Sequence, residues 1–141
     1  MSDVTYTGGC LCGALRYEAR GRPMMGHCYC GDCRKASGSG FIPFMGFPAS
    51  AVRFSGASVA FVSKSARGSD ATRNSCPVCG GLVFGGARGV DESHTIYAGS
   101  LDDPSLFRPA IALFNSRRPD WAVVPVGLAV FEEMPSERPE V

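Results

Sequence analysis

The seven cysteines of this 141-residue chain are the residues whose type and spacing point most directly to chemistry. They form three clusters: Cys10-Leu11-Cys12, Cys28-Tyr29-Cys30-Gly31-Asp32-Cys33 and Cys76-Pro77-Val78-Cys79. In extended backbone, residues two apart face the same side, so a Cys-x-Cys pair presents two sulfur atoms together. Thiolates are soft ligands that favour tetrahedral Zn²⁺, although iron–sulfur clusters use them as well. The clusters therefore predict metal binding, with zinc preferred. Disulfides are not expected, because the count is odd.

Seven thiolates fill one four-coordinate site and leave three ligands for a second. Structural zinc is usually closed by four protein ligands, whereas reactive zinc keeps a position for water or substrate. The compact triplet Cys28, Cys30 and Cys33 can surround one ion without help from distant residues. The two outer pairs would then share the other ion and join distant parts of the fold. Spacing alone does not dictate this division, which is a hypothesis at this point.

His27 and His94 are the alternative candidates for an eighth ligand. His27 would point away from Cys28 if that segment is extended, because neighbouring side chains of a strand face opposite sides. His94 closes the segment Asp91-Glu92-Ser93-His94, which is typical of a turn. We therefore expect both histidines to be surface or hydrogen-bonded residues rather than ligands.

Short apolar runs separated by glycine and proline predict a mainly β fold. The candidate strands cover residues 14–19, 41–47, 58–62, 82–84, 95–98, 110–114 and 127–131. Pro43 interrupts the second of these, and because proline cannot donate to a ladder we expect this strand near a sheet edge. One helical turn is predicted from Cys30 to Ser37 with Gly38 as its stop, and a second after Pro104.

Composition limits the class of protein. We expect one domain over residues 1–134 and a polar tail over residues 135–141. The net charge of +1 and the pI of about 7.6, with scattered basic residues, argue against nucleic-acid binding. No apolar run is long enough to span a membrane. The first residues lack the basic and apolar regions of a secretory signal, so the expected location is the cytoplasm, where thiols stay reduced. The oligomeric state is left open.

The cysteine motifs, together with others in the same order, resemble the glutathione-dependent formaldehyde-activating enzyme family, which shares its domain with the centromere protein V group. The resemblance covers about residues 8 to 135. Its motifs are Gly9-Cys10-Leu11-Cys12-Gly13, residues 28–38, Cys76-Pro77-Val78-Cys79-Gly80, Gly99-Ser100-Leu101-Asp102-Asp103-Pro104, Trp121 and Phe131. The resemblance implies an Mss4-like fold of packed antiparallel sheets built around zinc. It also implies two zinc ions: a structural zinc on Cys10, Cys12, Cys76 and Cys79, and an active-site zinc on Cys28, Cys30 and Cys33.

The activity that names this family joins glutathione to formaldehyde, giving S-hydroxymethylglutathione, and is classed as a carbon–sulfur lyase. The resemblance therefore implies a small thiol and a small aldehyde as substrates. It makes Cys28, Cys30 and Cys33 the catalytic residues, acting as ligands rather than nucleophiles. Tyr29 and Ala112 stand where the family commonly has His, so we expect glutathione and formaldehyde themselves to be poor substrates.

Two classes of function are open from the sequence. An enzyme needs an open position at Cys28, Cys30 and Cys33, where an incoming thiol could bind and be deprotonated. The alternative is a non-enzymatic zinc module that binds a protein partner, with this site closed by a further ligand. A solvent-filled pocket would favour the enzyme, and a closed or flat exposed site would favour the module. Arg34 and Lys35 could grip a substrate carboxylate, although ordinary surface charge is the simpler interpretation.

Overall fold

The computed structural model describes residues 3–136, which form mainly β structure. The strands are β1 Val4–Gly9, β2 Arg16–Gly21, β3 Met24–Cys28, β4 Ile42–Pro48, β5 Val52–Ser55, β6 Val59–Lys64, β7 Asp70–Ser75, β8 Leu82–Gly85, β9 Ser93–Tyr97, β10 Ile111–Leu113 and β11 Ala129–Val130. The α-helix α1 spans Gly31–Ser37, and a 3-10 turn occupies Pro104–Leu106. Among the residues described, no helix combines the length and apolar composition needed to cross a bilayer.

Two sheets organise the chain. The small sheet has the order β1-β2-β5, and the large sheet has the order β11-β10-β3-β4-β9-β8-β7-β6. The expected packed sheets are confirmed, and the architecture is consistent with an Mss4-like fold. The large sheet is mixed rather than purely antiparallel, because β10 runs parallel to both β3 and β11.

Strand alternation divides the residues of the large sheet between its two faces. One face packs against the small sheet and forms the main core, which includes Met45, Phe84 and Ile96 from the large sheet and Tyr6 and Tyr17 from the small one. The next residues along the same strands face the other way and line a cavity, among them Phe44, Gly85 and Tyr97. The same three central strands therefore support both the core and the candidate site.

The structure confirms the predicted strands to within a few residues and adds β1, β3, β5 and β7. It also confirms the predicted helical turn, which ends at Gly38 in the left-handed conformation. The expectation for Pro43 is wrong, because β4 lies between β3 and β9 in the interior of the sheet. Pairing with β9 begins only at Phe44, opposite Tyr97, so no β9 residue lies opposite Pro43. The predicted polar tail lies outside the described residues apart from Pro135 and Ser136.

Replacing Phe84 with Ala should destabilise the protein by about 3–5 kcal/mol, because this fully buried side chain leaves a cavity in the main core. Urea unfolding measures the effect. Phe61→Ala is the matched control, since Phe61 lies on the edge strand β6 with 70% of its surface exposed. The control should change the free energy of unfolding by less than about 1 kcal/mol. Equal losses of unfolding free energy in Phe84→Ala and Phe61→Ala would contradict the assignment of the sheet faces.

Tyr17 links the small sheet to the 3-10 turn Ala98–Ser100 that follows β9, since its hydroxyl lies 2.9 Å from the hydroxyl of Ser100. Burial raises the pKa of Tyr17 to about 12, although the hydrogen bond with Ser100 opposes this shift. The unfolded chain, with an ordinary tyrosine pKa near 10, therefore loses this proton at lower pH than the folded protein does. The contribution of Tyr17 to stability is fully present below pH ~10 and falls as the pH rises towards 12.

The free-energy difference between wild type and Tyr17→Phe should therefore narrow by roughly 2 kcal/mol between pH 9 and pH 12. Denaturant unfolding at a series of alkaline pH values measures it. The comparison cancels the other alkaline titrations, which both proteins share. A difference that stays constant over this range would show that the Tyr17 hydroxyl is not held in its neutral form by the fold.

Candidate metal centres

The two outer cysteine pairs lie on two turns that the fold brings together. Cys10 and Cys12 occupy the β1–β2 turn, and Cys76 and Cys79 occupy the β7–β8 turn. The Sγ atom of Cys12 is 3.7 Å from that of Cys10 and 3.7 Å from that of Cys76, and all four sulfur atoms lie within 4.8 Å of one another. The cluster therefore joins the small sheet to the large one.

Backbone amides surround the sulfur atoms of this four-cysteine cluster. The N–H of Leu15 donates to Cys10 Sγ at 3.3 Å, and the N–H of Val78 donates to Cys76 Sγ at 3.3 Å. The Leu15 amide lowers the pKa of Cys10 to about 6. Gly13 and Gly80 adopt φ values of 83° and 75°, which side-chain-bearing residues rarely adopt, and so allow each turn to close behind its cysteines. These donors stabilise the thiolate form that a metal requires.

Cys28, Cys30 and Cys33 form the second cluster at the junction of β3 and α1. Cys28 is the last residue of β3, and Cys30 is the N-cap of α1, with its Sγ accepting the Cys33 N–H at 3.2 Å. The first turn of the helix brings Cys33 back over this cap, and the three sulfur atoms lie within 4.8 Å of one another. Hydrogen bonds from Cys28 and Cys33 lower the pKa of Cys30, and the same crowding raises the pKa of Cys28. Without a metal, the three neighbouring cysteines cannot all carry a negative charge easily. A divalent cation would offset that charge and bind all three as thiolates.

Both clusters fit a metal ion held by thiolates. A tetrahedral ion with metal–sulfur bonds of about 2.3 Å requires neighbouring sulfur atoms about 3.8 Å apart. The 3.7 Å separations in the four-cysteine cluster match this spacing. Within residues 3–136, no His, Cys, Asp or Glu ligand atom joins Cys28, Cys30 and Cys33 as a fourth member. The clusters can thus hold metal ions with four and three protein ligands, respectively.

The two histidines are buried, and among the described residues neither joins a cysteine cluster as a ligand. His27 stacks on Phe41 with ring centroids 4.2 Å apart, and its Nδ1 is 3.3 Å from the Tyr29 hydroxyl. The Nδ1 of His94 is 3.1 Å from the carbonyl oxygen of Gly85. The hydrogen-bonded interpretation is therefore confirmed and the surface one is wrong. The turn predicted at His94 is also wrong, because β9 begins at Ser93.

A cavity of about 630 Å³ opens beside the three-cysteine cluster. Ile42, Phe44 and Leu113 form an apolar wall next to Cys28, and Arg73 and Tyr97 supply polar groups from the large sheet. Burial raises the pKa of Tyr97 to about 12, although the positive charge of Arg73 opposes this. The cavity is neither flat nor closed, so a small molecule can reach the cysteine sulfur atoms.

Arg73 and Tyr97 are candidate functional residues that the sequence did not reveal. Arg73 Nη2 lies 3.9 Å from Cys33 Sγ, although the two residues are 40 positions apart in the chain. Their proximity depends on the register of β7 against β8 and β9, and local periodicity carries no information about that register. Arg34 and Lys35, which the sequence offered as possible substrate contacts, do not line the cavity.

The two positions that differ from the family pattern lie together in a separate cluster. Tyr29 and Ala112 are fully buried and pack with Ala122, and the Tyr29 hydroxyl donates to the carbonyl oxygen of Val123 at 3.0 Å. Neither residue lines the cavity. The expectation that they make glutathione and formaldehyde poor substrates stays a prediction, but it does not follow from contact with a ligand in this cavity.

The fold and the two clusters define a mainly β protein built around candidate thiolate metal sites. A family model described as glutathione-dependent formaldehyde-activating enzyme matches residues 5–117, and the chain belongs to this family. A search of curated proteins found no match. The family match includes all seven cysteines and both Arg73 and Tyr97, whereas Trp121 and Phe131 lie beyond it.

Removing one cysteine from each cluster should have opposite consequences. Cys76→Ser should yield poorly folded protein, because the four-cysteine cluster joins the two sheets and structural zinc contributes about 10 kcal/mol or more in small peptides. Cys33→Ser should stay folded and lose one metal ion, because its cluster is local to β3 and α1. Elemental analysis gives the bound metal, and circular dichroism with thermal unfolding gives the folded state.

A serine at an unrelated buried cysteine is not available as a control, since all seven cysteines belong to the clusters. Ser75→Ala, at the last residue of β7 and next to Cys76, therefore serves as the control for disturbance of this segment. It should keep both the fold and the metal content of the wild type. Stable, metal-binding Cys76→Ser protein together with unfolded Cys33→Ser protein would reverse the proposed division.

Proposed function

We propose that the protein is a zinc-dependent enzyme of the carbon–sulfur lyase type, which adds a small, glutathione-like thiol to formaldehyde or another small aldehyde. The observation that carries the proposal is the cavity of about 630 Å³ beside Cys28, Cys30 and Cys33. Reactive zinc sites use three protein ligands and keep the fourth position for a small molecule. Membership of the glutathione-dependent formaldehyde-activating family supports the same chemistry.

In this proposal the two clusters have different roles. Cys10, Cys12, Cys76 and Cys79 hold a structural zinc, and the three-cysteine cluster holds the catalytic one. Zinc is the preferred ion because soft thiolates in a tetrahedral arrangement select it. When bound by three thiolates, the ion supplies an electrophilic position that lowers the pKa of an incoming thiol. The cytoplasm fits this chemistry, because the cysteines must stay reduced.

The proposed reaction forms one carbon–sulfur bond. The substrate sulfur attacks the aldehyde carbon, the π electrons of the carbonyl move to its oxygen, and the proton of the thiol ends on that oxygen. The product is a hemithioacetal, and formaldehyde gives an S-hydroxymethyl thioether. Ile42, Phe44 and Leu113 exclude water from the reacting atoms, which strengthens the electrostatic interactions there.

Polar residues of the cavity have defined tasks in this reaction. Arg73, whose guanidinium lies 3.9 Å from Cys33 Sγ, stabilises negative charge near the cysteine sulfur atoms. Tyr97 has a raised pKa and therefore carries its proton at neutral pH, so its hydroxyl can donate a hydrogen bond to the carbonyl oxygen as charge develops. The cavity volume lies in the range typical of small-molecule sites and exceeds what formaldehyde alone requires, so it suits a larger thiol partner.

The alternative function, a non-enzymatic zinc module that binds a protein partner, has less support. It calls for a flat exposed site or for a fourth protein ligand at the three-cysteine cluster. The cavity and the three-membered ligand set fit neither requirement. The enzymatic proposal therefore takes first place.

Cobalt-substituted protein provides the test. Glutathione or 2-mercaptoethanol should change the charge-transfer absorption of Co²⁺ when added at millimolar concentration, because a fourth thiolate enters the metal's ligand set. The same thiol should accelerate hemithioacetal formation with formaldehyde or another small aldehyde above the spontaneous rate. We expect glutathione with formaldehyde to be a slower pair than others.

Cys33→Ser protein is the control for the spectral change, because the four-cysteine cluster retains its cobalt and should show no response to thiol. A wild-type spectrum that no small thiol perturbs would remove the physical basis of the enzymatic proposal. In that case the protein-binding module becomes the preferred function.

A further inference from the structure

We propose that Arg73 binds a carboxylate of the thiol substrate, so that the cavity selects thiols that also carry a carboxylate. This inference rests on the proposed function, because it assumes that a thiol enters the cavity. It goes further because it names one residue of β7, Arg73, as the group that recognises a class of substrate.

The large sheet places Arg73 beside the three-cysteine cluster, where its guanidinium forms few hydrogen bonds with the protein. Arg73 lies opposite Gly85 on β8, and a Cβ atom at Gly85 would lie 2.9 Å from the Tyr97 hydroxyl. The absence of a side chain at Gly85 therefore leaves room for Tyr97 beside Arg73. The Nη2 of Arg73 contacts Cys33 Sγ at 3.9 Å, and its Nε is buried with no hydrogen-bond partner among the described residues. A guanidinium has five N–H donors, so Arg73 keeps donors beyond those that face Cys33 Sγ and the Tyr97 hydroxyl.

Arg73 differs from the other basic residues that line the cavity. Lys64 forms a salt bridge with Asp70 at 2.6 Å, and Arg67 and Arg117 are exposed. Arg73 is half-buried, and within residues 3–136 it forms no salt bridge with a carboxylate. It is therefore the cavity's unpaired cation next to the cysteine sulfur atoms, where partial burial strengthens a charge-assisted hydrogen bond.

The acidic residues of the cavity leave Arg73 free for a ligand. Asp70 is paired with Lys64, and Asp91 accepts the N–H of Ala87 at 2.8 Å. Asp32 is exposed on the first turn of α1. A carboxylate that enters with the substrate would thus be the first one to pair with the guanidinium.

The short distance from Arg73 to the cysteine cluster allows one ligand to contact both. A carboxylate oxygen about 2.8 Å from Arg73 Nη2 would lie within roughly 7 Å of Cys33 Sγ. A thiol sulfur that joins the cluster as a fourth ligand would itself lie about 3.8 Å from Cys33 Sγ, so the thiol and a carboxylate on Arg73 can belong to one small molecule. A short thiol acid such as mercaptoacetate is the smallest ligand that carries both groups, and a planar guanidinium can bind its carboxylate through two parallel hydrogen bonds.

The test compares mercaptoacetate with its methyl ester, which keeps the thiol and removes the negative charge. Both are titrated into cobalt-substituted wild-type, Arg73→Met, Arg73→Lys and Arg117→Met proteins, with the Co²⁺ absorption reporting binding. Arg117→Met is the matched control, because it removes an exposed cation from the same cavity. Metal content and thermal unfolding of each variant confirm that the site is intact. Calorimetry with (methylthio)acetate, whose sulfur is blocked, measures carboxylate binding alone.

Arg73→Met should weaken mercaptoacetate binding about tenfold or more and change ester binding by less than about threefold, because the variant loses a charge-assisted hydrogen bond. Arg73→Lys should keep part of the preference for mercaptoacetate over its methyl ester, and Arg117→Met should keep nearly all of this preference. Equal weakening of acid and ester by Arg73→Met would overturn the proposal, since Arg73 would then only offset the charge of the cysteines. If Arg73→Met does not fold, the same comparison in Arg73→Lys decides. Weaker binding of mercaptoacetate but not of its ester supports the proposal. Equal weakening of both, or no weakening, overturns it.

The two proposals can fail separately. If thiols bind cobalt but Arg73 has no influence on the preference for the acid, the carboxylate site is wrong and the enzymatic function stands. If no thiol perturbs cobalt, the enzymatic function is wrong, and (methylthio)acetate then decides the carboxylate site. Binding heat that disappears in Arg73→Met supports the site, and the absence of binding heat in the wild type overturns it.

Discussion

The contact on which the rest of the structure depends is the meeting of two turns at the four-cysteine cluster. One turn belongs to the small sheet and the other to the large sheet, and their sulfur atoms lie as close as 3.7 Å. This contact fixes the small sheet over one face of the large sheet, where Tyr6 and Tyr17 pack against residues such as Phe84 and Ile96. One face of the large sheet is thereby committed to the core. The opposite face is left available for the cavity and the three-cysteine cluster.

Alternation along the strands then separates stability from function within the same elements. On β8 and β9, Phe84 and Ile96 enter the core, and their neighbours Gly85 and Tyr97 face the cavity. Arg73 is paired with Gly85 and shares that outer face. A slip of one residue in register would exchange the two sets, burying Arg73 and exposing the core residues. The packing of the core therefore also determines which side chains reach the cysteine sulfur atoms.

The sequence allowed local features to be predicted and left long-range ones open. Cysteine count and spacing together with the family resemblance predicted the clusters, apolar patterning predicted most strands, and Gly38 marked the end of α1. The pairing of β10 with β3, the interior position of β4 and the proximity of Arg73 to Cys33 depend on strand register. Contacts across a sheet are set by packing of the whole fold, and a local pattern contains no information about them. His94 was assigned to a turn because its polar neighbours outweighed the apolar alternation of the strand that it enters.

In the proposed function, substrate preference arises at a different place in the fold from the positions that depart from the family pattern. The residues that depart from the family pattern, Tyr29 and Ala112, pack in one buried cluster with Ala122, outside the cavity. Tyr29 lies between Cys28 and Cys30 of the three-cysteine cluster, but the alternation of the extended backbone turns its side chain away from their sulfur atoms. Groups on the outer face of the large sheet contact whatever enters the cavity. Arg73, from the second strand in from the sheet edge, combines charge, partial burial and proximity to the cysteines, which is why the proposed discrimination among thiols rests on it.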